Sequence, residues 1–196
     1  AGTADIMLWW HNQPVHAASL PVGGEQVSST LATTLRVPRQ TAEMLKRSYG
    51  ALYSKYYHHT RISLPSTGHL PDRYIASNDL VEQIAASYQK IFASIGKELQ
   101  RAGLRKMLDG GIVFTGGAAQ MPGLAEMAGE FFNCPVRVFI PPPIPGLDEY
   151  LQNDAGMTTT LGLLYMHQYP VEDYLWAREE KDGIIPGIRN FLKRYL

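Results

Sequence analysis

The chain has 196 residues, 45% of them hydrophobic and 18% charged, enough to bury a core as one domain or two small ones. Eighteen basic residues cancel eighteen acidic ones, so no global field draws the chain to nucleic acid, and any membrane affinity must come from a local cluster. Cys134 stands alone, which excludes an internal disulfide and a thiolate zinc site, suits a reducing compartment, and leaves Cys134 as a small buried residue near Val136. No stretch approaches the roughly eighteen consecutive apolar residues of a membrane-spanning helix. The first residues also lack the basic, apolar and small-residue order of a secretory signal, so the expectation is a soluble cytosolic protein.

The opening Ala-Gly-Thr-Ala-Asp is tight-turn chemistry with no strand before it, which suggests a missing piece upstream. Residues 5–10 and 15–20 read as two strands joined by the turn His11-Asn12-Gln13-Pro14, and Pro21-Val22-Gly23-Gly24 closes the hairpin. A helix is expected over 25–35. Pro38 is placed to start a second one through Tyr49, with Gly50 as its stop. On that second helix Glu43 and Lys46 lie three apart and share a face, able to offer an acceptor and a donor together to a ligand. The same spacing equally describes a solvated ion pair.

Residues 51–73 are irregular and aromatic, with Tyr53, Tyr56, Tyr57, His58 and His59 ahead of a short strand candidate at 61–64; they read as a small, variable lobe. No nucleic-acid recognition signature accompanies Lys55, Arg61 and the tyrosines, and the adjacent histidines lack partners at metal-ligand spacing. Asn78 or Asp79 is expected to cap a long helix to Ala102, with Leu80, Ile84, Tyr88, Ile91, Ile95 and Leu99 as its core stripe and Gly103 as its end.

Residues 110–123, Gly-Gly-Ile-Val-Phe-Thr-Gly-Gly-Ala-Ala-Gln-Met-Pro-Gly, organise the chain. Ile112, Val113 and Phe114 read as a buried strand. Gly116 and Gly117 then turn with no Cβ in the way of another molecule, and Pro122 opens a helix over 124–132 whose free N–H groups should face the glycines. Such an arrangement is an anion or nucleotide cradle, although Gly-Gly also punctuates ordinary strand-to-helix turns. A further strand follows at 136–140, the proline run 141–145 forces an extended connection, and helical spacing resumes over 157–168. There is no serine elbow, no CxxC and no Gly-Lys-Ser/Thr phosphate loop, so covalent catalysis has no support.

The end of the chain is amphipathic. Ile184, Ile185, Ile188, Phe191, Leu192, Tyr195 and Leu196 fall within an arc of roughly 140° on a helix, with Arg189, Asn190, Lys193 and Arg194 outside it. A polar face with three cations and no anion, behind the hydrophilic stretch 178–182, fits insertion into an anionic leaflet; packing on the chain's own domain is the other fate of such a stripe.

Ala-Gly-Thr-Ala-Asp, Pro-Val-Gly-Gly, Glu43-x-x-Lys46 and Ile-Val-Phe-Thr-Gly-Gly-Ala-Ala-Gln-Met-Pro-Gly-Leu occur in the order seen in the actin-like ATPases, and together they resemble its FtsA branch of bacterial cell division proteins. The resemblance runs from Gly2 to about Tyr165 and reappears in the last residues. It implies an α/β, actin-like (ribonuclease H-like) fold, of which this chain would be the second major domain: a core lobe from 1–24 and 78–170, a small lobe inserted at 25–77, a linker at 171–183 and a membrane-targeting helix at 184–196. It also implies an ATP- and Mg²⁺-binding scaffold that anchors the FtsZ ring to the inner face of the cytoplasmic membrane and recruits other division proteins. Such a scaffold self-associates into filaments and is at most a slow ATPase. Gly2 and Thr3, and with them Asp5, would belong to a phosphate-binding turn; Glu43 and Lys46 would contact ribose and purine; Gly116, Gly117 and Ala118 would form the adenosine-side turn. Arg73, in the small lobe, would meet the FtsZ tail. Ile184, Ile185, Ile188, Arg189, Phe191, Leu192, Lys193, Arg194 and Tyr195 would meet the membrane. The family's Asp-x-Gly-x-Gly-Thr-x-Asp run is present only from its last part, and Ser77, Ala86 and Ser87 stand where basic residues or proline often occur. A pilus-assembly relative and a sugar-kinase-like phosphotransferase share the implied fold.

Overall fold

In the computed structural model, which describes residues 2–56, 61–64, 73–104, 108, 110–142, 146, 148 and 154–167, β1 (Ala4–Trp10) and β2 (Gln13–Leu20) form an antiparallel hairpin. Its turn is two residues long rather than four. His11 (φ 50°) and Asn12 (φ 63°) both occupy the left-handed region, the geometry whose twist matches that of the flanking strands. Gln13 and Pro14 consequently belong to β2, and Pro14 lies opposite Trp9 beside a register shift, where a missing N–H is tolerated. Alternation turns Ile6 and Leu8 toward the core and leaves Met7 and Trp9 exposed.

Two helices follow. α1 (Gly24–Leu35) buries Val27, Ser28, Leu31 and Leu35, and closes through Arg36 in the left-handed region with the Val37 N–H donating to Ala32 O at 3.1 Å. α2 (Arg39–Tyr49) starts after Pro38, whose ring presets the entry, and ends at Gly50 in an extended rather than left-handed conformation. β3 (Arg61–Leu64) pairs antiparallel with β4 (Arg73–Ala76), a strand too short to stand out in the sequence.

α3 (Ser77–Arg101) is the longest element, and Leu80, Ile84, Tyr88, Ile91, Ile95 and Leu99 are all buried along one stripe. It starts two residues earlier than its polar residues suggest: Ala76 occupies the cap without a side-chain bond, and Asp79 sits inside the first turn, where its charge favours the helix dipole. Gly103 (φ 72°) ends it with N–H bonds from Gly103 to Gln100 O and from Leu104 to Leu99 O, the paired closure that a left-handed glycine allows.

β5 (Ile112–Phe114) runs parallel to β6 (Val136–Val138), and the crossover between them carries a 3₁₀ turn, Gly117–Gln120, and α4 (Leu124–Phe132). Ile112 and Phe114 face the core while Val113 is 49% exposed, so β5 is covered on one face only and is not the fully buried run expected. β6 is two residues shorter than 136–140. Pro122 lies outside α4; Gly123, left-handed, is its cap, the Leu124 N–H is taken by Met121 O, and the Met127 N–H makes the helix bond to Gly123 O. Cys134 is half-buried, and burial pushes its thiol up.

One hydrophobic cluster joins β1, both helical layers and the β5–β6 crossover. Phe92 is at its centre, 1% exposed, with the rings of Tyr88, Phe114, Phe131 and Phe132 at centroid distances of 5.7–6.2 Å. The chain divides into two units, Ala1–Met157 and Thr158–Leu196. Of the second, the described part is α5 (Thr158–His167), a helix in which Leu161 is buried and Leu163, Leu164 and Tyr165 are exposed. Among the described residues no helix is long and apolar enough to cross a membrane. Tyr57, His58, His59, the prolines at 143–145, the linker and the amphipathic tail 184–196 lie outside the described residues.

Phe92→Ala is expected to cost about 3–5 kcal/mol, the range for emptying an aromatic site in a packed core, read as a lower denaturant midpoint with an unchanged slope.

Candidate functional site

The sequence leaves Glu43 and Lys46 as either a ligand pair or a solvated ion pair; in the structure Lys46 is withdrawn from solvent while Glu43 faces it. The Lys46 side chain is 11% exposed, and its Nζ donates to Gly24 O (2.9 Å), Ser28 Oγ (2.8 Å) and Glu43 Oε2 (2.6 Å). Three protons meet three acceptors, so burying the ammonium leaves none of them unsatisfied. Glu43 is 40% exposed and is the outward member of the cluster. Its Oε2 also accepts from the Ser28 hydroxyl, and its Oε1 accepts from Arg47 Nε at 3.0 Å. Burial alone would raise the Glu43 carboxyl. The hydrogen bonds from Lys46 and Ser28, with the charges of Lys46 and Arg47, outweigh burial and hold it below the ordinary carboxylate value.

The glycine turn lies beside this cluster. A Cβ at Gly24, the first residue of α1, would stand 3.4 Å from the Ala118 Cβ and 3.5 Å from Lys46 Nζ, so three distant segments converge on that one backbone position. Tyr88, buried on α3, donates its hydroxyl to Ala118 O at 2.8 Å and fixes the turn from below; burial, and then the negative charge of Glu43, push its phenol up. Gly116 (φ 96°) donates its N–H to Ala155 O at 2.9 Å, a backbone conformation that side chains rarely adopt. Added Cβ atoms at Gly116 and Gly117 would meet nothing within 4 Å. Conformation, not crowding within the protein, therefore calls for glycine at 116, and the space over the turn is open to another molecule.

Gly2 reaches the same end of α1: a Cβ there would stand 2.9 Å from Glu25 Oε2, and Glu25 is itself paired with Arg39. Thr3 is exposed. Asp5 is held across the hairpin instead, accepting from Ser19 Oγ at 2.6 Å. The sequence-derived set thus divides. Lys46 and Ala118 meet at Gly24, and Glu43 joins them through its bonds to Lys46 and Ser28, with Gly116 and Gly117 preceding Ala118 in the turn; Gly2 stands next to the adjoining Glu25; Asp5 is engaged by Ser19. Arg73, at the start of β4, is exposed and donates to Arg36 O at 3.2 Å, which ties it to the C-terminal end of α1. The tail residues from Ile184 to Tyr195 lie outside the described residues. Among the described residues no three His, Cys, Asp or Glu side chains stand close enough to hold a metal ion.

Sequence reasoning did not single out Ser28, and it saw Tyr88 only as core. A signal for Ser28 existed: it lies on the buried stripe of Gly24, Val27, Leu31 and Leu35, and a hydroxyl in such a stripe needs a partner. Lys46→Met should remove that partner and lower stability by about 1–3 kcal/mol near neutral pH. Because the folded-state pKa of Glu43 is lowered, its contribution is present above the ordinary carboxylate range and is lost as pH falls through the lowered value. The gap between wild type and variant in urea midpoint should accordingly be widest at neutral pH and narrow below about pH 4.

The family profile described as "Cell division protein FtsA" matches residues 1–162. The cell division protein FtsA of Pseudomonas aeruginosa is 35% identical over 164 residues, covering 83% of this chain and 39% of that protein. That of Escherichia coli K12 is 31% identical over 202 residues, covering 98% of this chain and 47% of that protein. The chain therefore spans less than half the length of these relatives. MreB5 of Spiroplasma citri, in a crystal structure with ADP, superposes with a TM-score of 0.63 at 17% identity over 88% of this chain and 53% of that one; the AMPPNP-bound structure gives 0.61 over 93% and 53%, also at 17% identity. This likeness, with the mixed α/β topology, shows an actin-like ATPase fold, and the sequence matches show that the chain belongs to the FtsA family of cell division proteins.

Proposed function

We propose that this chain supplies the nucleoside-gripping half of an FtsA-type scaffold, which binds ATP with Mg²⁺ and uses it to govern self-association rather than to drive rapid turnover. The observation that carries this reading is the approach of Lys46 and Ala118 to Gly24, with Glu43 hydrogen-bonded to Lys46 on the outer side, beside a glycine turn with open space above it. Glu43, outermost and ionised, is fit to accept sugar hydroxyls; the turn from Gly116 to Ala118 offers backbone without side chains to a flat base; Gly2 and Thr3 stand where backbone N–H groups could meet phosphate. The MreB structures that share the fold were solved with AMPPNP and ADP, which supports a nucleotide at such a site.

The remaining assignments follow the family. The scaffold would anchor the FtsZ ring at the inner face of the cytoplasmic membrane and recruit other division proteins. The lobe at 25–77 would take the FtsZ tail near Arg73, whose exposed guanidinium suits a carboxylate, and residues 184–196 would lie in an anionic leaflet. Each of the three cations there contributes about 1 kcal/mol, so insertion of Phe191, Leu192 and the isoleucines must supply the rest.

Two experiments test these statements. In the full-length protein, Glu43→Ala and Gly116→Val should each weaken ATP binding at least about tenfold by calorimetry, the first by losing a charged acceptor and the second by filling the turn. Unchanged affinity in both would remove the nucleotide from this site. Pelleting with anionic liposomes should be lost on deleting 184–196 and weakened by Phe191→Glu, whereas undiminished pelleting of both variants would sink the membrane assignment.

A further inference from the structure

We propose that Ser28 is a positioning residue of the nucleotide site, setting the angle at which the Glu43 carboxylate meets a sugar hydroxyl; this rests on the nucleotide reading above. Several helical hydroxyls bond only back to the carbonyl four residues earlier, as Thr30 does to Gln26 O, Ser87 to Gln83 O and Ser94 to Lys90 O. Ser28 is different. Its Oγ lies 3.2 Å from Gly24 O but closer to Glu43 Oε2, and a hydroxyl has one proton to give. The charged acceptor takes it, while Gly24 O receives Lys46 Nζ at 2.9 Å and Nζ also donates to the serine oxygen at 2.8 Å.

The hydroxyl therefore sits between ammonium and carboxylate and bonds to both. Ser28 is 2% exposed, so it cannot itself touch a ligand, whereas Glu43 can. Lys46 on Oε2 and Arg47 on Oε1 hold the carboxylate through two long side chains, and Ser28 adds a short, buried donor to Oε2 that narrows the remaining play about its terminal torsion. With Ser28 and Lys46 both on Oε2, the plane of the group is fixed and Oε1, which carries Arg47, keeps a lone pair for an incoming hydroxyl. Reading a sugar hydroxyl demands that orientation; gripping a base does not.

The test compares ATP, 2′-deoxy-ATP and 3′-deoxy-ATP on the full-length wild type, Ser28→Ala and Ser28→Thr, with melting temperature as the check on folding. Wild type is expected to prefer ATP over at least one deoxy analogue. Ser28→Ala should weaken ATP about tenfold and pull that preference toward one, and Ser28→Thr, which keeps the hydroxyl, should restore the preference. Equal weakening of all three nucleotides by Ser28→Ala, or no change, would overturn the positioning role and leave Ser28 as packing. A wild type that binds ATP without preference would overturn it as well. Failure of the wild type to bind any of the three would instead bring down the nucleotide reading on which the proposal stands.

Discussion

An ammonium placed where water reaches only a ninth of its side chain must find three acceptors or not be there, and this requirement on Lys46 arranges the site around it. The acceptors come from three sources: a backbone carbonyl at the start of α1, a hydroxyl one turn further along, and a carboxylate one turn back on α2. Satisfying all three fixes α1 against α2 at their polar end, while Leu31, Leu35, Ala42 and Leu45 fix them in the core. Hydrophobic packing alone would tolerate a small slide of one helix along the other. The ammonium contact does not, because its two acceptors on α1, Gly24 O and Ser28 Oγ, would move out of hydrogen-bond range within a fraction of an ångström.

From that point the restraint passes to α3. Tyr88 belongs to the apolar stripe by its ring and to the site by its hydroxyl, so one side chain couples the packing of the longest helix to the carbonyl of Ala118. Phe92, one turn further on, packs on Phe114 of β5, the strand that leads into Gly116. The glycine turn is thus held at both ends by adjacent turns of the same helix. A turn that must present bare backbone to another molecule cannot use its own side chains for rigidity, and here the rigidity is supplied from beneath.

Much of the fold could be read from the sequence because its signals are local. The stripe from Leu80 to Leu99, the proline before α2 and the left-handed Gly103 each act within a few residues, and the elements they predict are present with boundaries shifted by one to three. The misreadings have local causes too. His11 and Asn12 made a two-residue turn because both adopt positive φ, which is uncommon outside glycine; Val113 was taken as buried because a three-residue run cannot show which face is covered. In the site, the residues given by the family resemblance could be named, but not their supports. Ser28 touches Glu43 across fifteen positions and Tyr88 touches Ala118 across thirty, and no periodicity within either helix encodes a contact of that length.

The charges around the site also bear on what part of a nucleotide it suits. Lys46 and Arg47 both lie on Glu43, and Arg39 lies on Glu25 beside Gly2, so three cations share two carboxylates. A polyphosphate approaching these groups would meet cations already paired with carboxylates, and drawing Lys46 away would take one partner from each of Glu43 and Ser28. Neutral polar chemistry, a sugar hydroxyl or the edge of a base, can join the network without breaking it, since Glu43 has accepting capacity left and the glycine turn offers backbone. On the nucleotide reading proposed above, phosphate binding by this chain would fall to backbone N–H groups near Gly2 and Thr3 and to a metal carried with the nucleotide, interactions that need no free side-chain cation. The arrangement is suited to neutral nucleoside chemistry more than to gripping a polyphosphate's charge, which is why the proposal above assigns this chain the nucleoside half of the site.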